Sequence, residues 1–116
     1  MTRTESEWKD AADDTNTYFN ERKRSFDAKH MLLVIDDLAM RGAATQAELV
    51  EKHGTPDFIA TTLGHVTTAI HGKGSVPAQD GWYSATDNPR TYRINPLFAS
   101  AWKLKRRLPR SAALGE

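Results

Sequence analysis

The chain contains no cysteine, which excludes disulfides, thiolate nucleophiles, cysteine-ligated zinc and iron–sulfur clusters. Long apolar runs are missing as well: the longest, Met31 to Ile35, falls far short of the roughly 18–20 residues that a bilayer-spanning helix needs. The opening residues MTRTESEWKDAADD mix acids and bases without an apolar stretch or a small-residue cleavage motif, so no secretory signal, no membrane partner and a cytoplasmic location are expected. There is no Gly-x-Ser-x-Gly elbow and no paired-carboxylate pattern, and Gly72-Lys73-Gly74-Ser75 follows a helical pattern where a phosphate loop would follow a strand. No enzymatic activity and no cofactor are therefore expected. Asp36 and Asp37 are adjacent and splay about 100° apart on a helix, a poor acid/base pair. The histidines 30, 53, 65 and 71 lack the i, i+4 spacing that joins two ligands on one helical face, so no metal is expected either.

What remains is 116 residues with 39% hydrophobic and 27% charged content, the proportions of one small domain stabilised by burial. Its net charge of +1 hides a polarity. Residues 1–58 carry 12 acids against 8 Lys/Arg, whereas residues 59–116 carry 3 acids against 8. A basic half suits a polyanion such as nucleic acid, although Lys103, Lys105, Arg106, Arg107 and Arg110 would serve equally as a solvated basic tail.

Residues 1–14 are polar and read as a flexible segment. From Thr15 to Arg41 there is no Gly or Pro, which predicts one long helix or two abutting ones ended by Gly42. Met31, Leu32, Val34, Ile35, Leu38 and Ala39 share its core arc. Phe19, Phe26, Leu33 and Met40 recur every seven residues on the other side, a stripe expected, with Trp102, to be covered by a second subunit or by the C-terminal helix. Thr45-Gln46-Ala47-Glu48 is a capping box that starts a short helix ending at His53-Gly54. Thr55-Pro56-Asp57 starts the next, whose Ile59, Leu63, Val66 and Ile70 form one buried face up to Gly72 or Gly74. Two short strands, 82–86 and 91–94, flank the turn Asp87-Asn88-Pro89-Arg90. Asn95-Pro96 opens a last helix with an apolar edge of Leu97, Ala101, Leu104 and Leu108, and Pro109 starts a tail over 109–116.

This order of elements, an α+β chain that is mainly α, resembles a winged helix-turn-helix domain with an N-terminal helical extension and a C-terminal helix. The resemblance, to a superfamily of bacterial, archaeal and phage DNA-binding proteins, covers about residues 26–108 within a domain spanning 15–108. It implies that helix 55–71 enters the major groove of double-stranded DNA and that hairpin 82–94 acts as a wing. On the residues themselves, the outward face of helix 55–71 carries Asp57, Thr61, Gly64, His65 and Thr68; the threonines can bond base edges and His65 a guanine or a phosphate, while Gly64, costly inside a helix, points to close approach of another surface or makes room for the second helix. Thr45, Gln46 and Thr55 lie at helix starts suited to a phosphate, and Lys73, Asn88, Arg90 and Arg93 lie on or beside the wing. The face has no Arg or Asn, so shape and phosphate contacts should outweigh direct readout. The expected protein is a homodimeric transcriptional regulator. The alternatives are a winged-helix protein-interaction module that has lost DNA binding, using the seven-residue stripe or Trp8 and Trp102, and a plasmid or phage replication or partition protein.

Overall fold

Helices form where capping signals meet a periodic apolar face, and the computed structural model, which describes residues 4–22, 27–71 and 81–108, follows that rule throughout. Helix α1 (Glu5–Glu21) begins at a capping box in which Thr4 accepts from the Glu7 amide and Glu7 accepts from that of Thr4. Helix α2 (Ala28–Arg41) is capped by Asp27 and stops at Gly42, whose φ of 79° is strained for any residue with a Cβ. Strand β1 (Ala43–Thr45) leads into α3 (Gln46–His53), again through a reciprocal Thr45–Glu48 box. Gly54, at φ 141°, separates α3 from α4 (Pro56–His71), where the Thr55 hydroxyl accepts from the Phe58 amide. Strands β2 (Tyr83–Thr86) and β3 (Thr91–Ile94) and helix α5 (Pro96–Arg106) are the remaining described elements.

The result is α+β and mainly helical, with one three-stranded antiparallel sheet among the described residues, in the order β1-β3-β2. Ala44 pairs with Tyr92 and Ser84 with Arg93. Alternation therefore turns Tyr92 and Ile94 into the core and leaves Arg93 and Ser84 outside. The Ile94 amide donates to Gly42 and that of Asn95 to Trp82, tying the sheet to the end of α2 and to the start of the hairpin.

All three tryptophans are buried, and they converge on Phe98 of α5: its ring centroid lies 5.8 Å from Trp8, 5.6 Å from Trp82 and 5.9 Å from Trp102. Alpha-helical spacing explains the arrangement. Trp8, Ala11, Ala12, Thr15 and Phe19 make the inner face of α1, and Phe98, Ala99, Ala101 and Trp102 that of α5. Among the described residues, no helix is long and apolar enough to cross a membrane.

Several expectations are corrected. The segment 1–14 is not a loose end: from Glu5 it is helix, and Trp8, Ala11 and Ala12 are in the core. Alanine and threonine are weak apolar signals, and that hid its buried face. Of the two arrangements expected for the 15–41 stretch the structure takes the second, two helices, so Phe19 on α1 does not share an axis with Leu33 and Met40 on α2. Phe19 and Trp102, expected to be covered by a second subunit or by the C-terminal helix, are enclosed within the chain and not available to a dimer interface, as is Trp8, which the protein-interaction alternative would use to hold a partner. Leu33 is exposed and Met40 half-buried, while Phe26 lies outside the described residues. On α5 the aromatic residues, with far more area to remove from water, take the inside, and the expected inner residues Leu97 and Leu104 face outward. The 109–116 tail also lies outside the described residues.

Candidate nucleic-acid interface

Helix α4 buries Ile59, Leu63 and Val66 as the spacing predicts, adding Thr62 and Thr67, with Ile70 half-buried. The two added threonines neutralise their hydroxyls internally: Thr62 donates to Phe58 O and Thr67 to Leu63 O, at 2.8 and 2.9 Å. Thr67 also accepts from the indole of Trp82 at 3.1 Å, which fastens α4 to the start of the hairpin. The opposite side exposes Asp57, Ala60, Thr61 and Gly64, with Thr68 half-exposed. No long side chain stands on this stripe, and a Cβ built on Gly64 would meet nothing within 4 Å. The expectation that Gly64 makes room for a neighbouring helix is thereby excluded within the described chain.

His65 does not stand free on that face. Its Nδ1 lies 2.7 Å from the Tyr18 hydroxyl, and its ring packs on those of Tyr18 and Phe19 at 5.7 and 6.3 Å, so α1 covers one flank of α4. Burial pushes its pKa below the ordinary histidine value, and the Arg22 charge pushes the same way. Tied to the phenol at Nδ1 and held toward its neutral form, the ring is not the free phosphate-binding cation that its place on α4 suggests. Arg22 sits over the Tyr18 ring with its guanidinium carbon 4.0 Å from the centroid, and Nη1 donates to Tyr18 O at 3.2 Å. Neither Tyr18 nor Arg22 stands out in the sequence by periodicity. The one available signal is the run Arg22-Lys23-Arg24 within an otherwise acidic half.

The start of α3 is also closed off. The Thr45 amide donates to Glu48 Oε1 at 2.8 Å, the Thr45 hydroxyl bonds both the Glu48 amide and its carboxylate, and the Gln46 amide donates to Arg90 O at 2.8 Å. The amides and hydroxyl expected to be available to a phosphate are thus spent inside the chain, next to an anionic Glu48. The same bonds bring Thr45, Gln46 and Arg90 together, because Thr45 pairs with Thr91 and the hairpin turn folds onto the start of α3. Thr55 is likewise occupied as the α4 cap.

On the hairpin, Asn88 is exposed in the left-handed region at φ 66°, which asparagine tolerates. Arg90 is exposed but pairs with Asp87 at 2.9 Å. Arg93 is exposed and makes no ion pair with any described residue; with Arg41, Ser84 and Asn95 it lines an open groove of about 480 Å³. Arg41 there is engaged by Asp37 at 2.8 Å and Glu48 at 3.6 Å. Burial opposes ionisation of Asp37, yet hydrogen bonds from Arg41 and His53 outweigh it and hold the carboxyl below its usual range. Of the basic cluster on α5, Lys105 pairs with Asp13 at 3.0 Å and Arg106 with Asp36 at 3.0 Å, so both serve the fold. Lys73 lies outside the described residues. No group of three or more metal-ligating side chains occurs among the described residues.

The face assembled from sequence therefore keeps Asp57, Thr61, Gly64, Thr68 and Arg93 accessible, commits the Thr45 and Thr55 hydroxyls, the Gln46 backbone amide and the His65 ring to internal bonds, and gains Tyr18 and Arg22 at its edge. No family model, curated protein or solved structure matches the chain, and the functional reading rests on this geometry.

Proposed function

We propose that the chain is a winged helix-turn-helix protein that binds double-stranded DNA through α4 and regulates transcription. The element order α2, β1, α3, α4, β2, β3, with a three-stranded sheet that ties the hairpin to α2 and to the start of α3, supports the winged-helix reading. The observation that carries the functional reading is Gly64. Glycine inside a helix costs about 1 kcal/mol relative to alanine, and nothing within the described chain requires it, since the space beside it is open. An external surface that must approach the helix closely accounts for it, and Asp57, Thr61 and Thr68 on the same stripe supply short acceptors, hydroxyls and methyls to meet base edges. Without an Arg or Asn in the stripe, shape and backbone contacts supply most of the affinity.

The test exploits that open space. Gly64→Ala should stabilise the fold by about 0.5–1 kcal/mol, and Gly64→Leu should remain folded while lowering affinity for a short duplex at least about tenfold, the effect of losing roughly 1.4 kcal/mol of binding. Thermal melting and fluorescence anisotropy measure the two quantities separately. A folded Gly64→Leu chain that binds duplex as tightly as the wild type overturns the reading.

A further inference from the structure

We infer that Arg22, held on the Tyr18 ring at the end of α1, is a phosphate-contacting residue, so that α1 and α4 together form the duplex-binding surface. The inference rests on the reading of α4 as the groove helix and assigns a role to a helix that lies outside the winged-helix pattern. The guanidinium is placed, not floating: it stacks 4.0 Å from the Tyr18 centroid and one nitrogen is fixed to Tyr18 O. Tyr18 is in turn fixed to α4 by its 2.7 Å bond with His65. Residue 65 lies about one turn from the exposed Thr61 and from the half-exposed Thr68, and the Arg22 charge is near enough to His65 to act on its ring, which puts the guanidinium on the α1 side of the open stripe.

Two further features suit a phosphate. The Arg22 side chain is 42% exposed, and its Nε and Nη2 make no hydrogen bond to any described residue. Those two nitrogens are the fork with which arginine grips a phosphate bidentately. Its only ion pair with a described residue is with Glu21 at 3.8 Å, exposed on both sides, an arrangement that contributes little in water and yields readily to a closer anion. A stacked, pre-positioned arginine loses less rotamer freedom on contact than a free one.

The competing role for Arg22 is structural: a cation at a helix C-terminus bonded to a last-turn carbonyl stabilises the helix by a few tenths of a kcal/mol. The two roles differ in what they move. Anisotropy titrations of a short mixed-sequence duplex against the full chain, from about 50 to about 200 mM salt, should show Arg22→Gln lowering the slope of log affinity against log salt by about 0.9, with a loss of about eightfold near 0.1 M. Arg22→Lys should keep the slope and fall between the two in affinity. A purely structural role lowers the melting temperature and leaves the slope alone, so a folded Arg22→Gln chain with the wild-type slope overturns the inference. Running Gly64→Leu beside it separates the two failures. If Gly64→Leu abolishes binding while Arg22→Gln leaves the slope untouched, only the Arg22 contact falls. If Gly64→Leu binds normally while Arg22→Gln flattens the slope, the α4 reading and the joint α1–α4 surface fall, and Arg22 is left as a phosphate contact of a different face. A wild-type chain with no salt-dependent duplex binding overturns both.

Discussion

Asp36 and Asp37 are neighbours in sequence with opposite duties, because a step of about 100° along a helix sends them to different partners. Asp37 turns to Arg41 and His53, the latter at 2.9 Å, and joins α2 to α3. Asp36 turns to α5, where Oδ1 accepts from Trp102 at 2.8 Å and both oxygens accept from Arg106 at 3.0 Å. A buried carboxylate with three charge-assisted or indole donors is expensive to remove: truncation strands the indole N–H and the guanidinium together. Asp36→Ala should therefore destabilise the fold by roughly 2–3 kcal/mol, held below the fully buried limit because Arg106 keeps some solvent contact. A urea midpoint within error of the wild type would show that the bonds merely replace water. The sequence revealed the adjacency and the splay but not the partners, since Arg106 and Trp102 lie 70 and 66 residues away. Contacts at that separation leave no trace in local pattern.

At the scale of elements, legibility followed the strength of local signals. The Thr45–Glu48 box and Thr55-Pro56 marked the starts of α3 and α4, glycines marked the ends of α2 and α3, and Asp87-Asn88-Pro89-Arg90 marked the hairpin turn; the expected stop of α4 at Gly72 or Gly74 lies outside the described residues. Strand β1 escaped because Ala43-Ala44-Thr45 is too short to alternate and exists only through pairing with β3. Helix α1 escaped because its inner face is built from Ala11, Ala12 and Thr15 between Trp8 and Phe19, and small residues register as surface until the partner helix is known. The spacing on α4 alone places His65 outside, and it is α1 that covers it, through Tyr18 and Phe19. Its contact with α1 also predicts a pH dependence. The folded chain holds His65 below its ordinary pKa, chiefly through burial, so as the pH falls through about 6.5 the unfolded chain binds a proton that the fold resists, and stability declines. The stability is intact above that value, and the Asp37 contribution is lost only at lower pH, below its ordinary 3.8. Denaturation at neutral and mildly acidic pH should show His65→Gln losing less stability than the wild type across that interval. An identical loss in both chains would assign the effect to other groups.

Across the whole molecule, the charge polarity read from the sequence is real but is smaller as a binding surface than the count suggests. Lys105, Arg106 and Arg90 each have an acid within 3.0 Å, so part of the basic half is neutralised before any partner arrives. Counting cations overstates a footprint, because only those without a nearby acid displace counterions fully when a phosphate approaches. This distinction separates the two arginines of the hairpin. Arg93 projects from the outer face of the central strand with no ion pair to a described residue, whereas Arg90 is engaged by Asp87 at 2.9 Å and its charge is stabilised further by that bond. If the hairpin acts as a wing, Arg93→Ala should flatten the salt dependence of duplex binding by close to one phosphate equivalent, about 0.9 in slope. Arg90→Ala should flatten it by clearly less, because exposing Asp87 adds repulsion while the charge removed was already partly compensated. Asp87→Ala should then restore to Arg90 a full share, steepening the slope relative to the wild type. Equal slopes for all three variants would remove the hairpin from the footprint and leave α4, with the end of α1, as the whole of the contact.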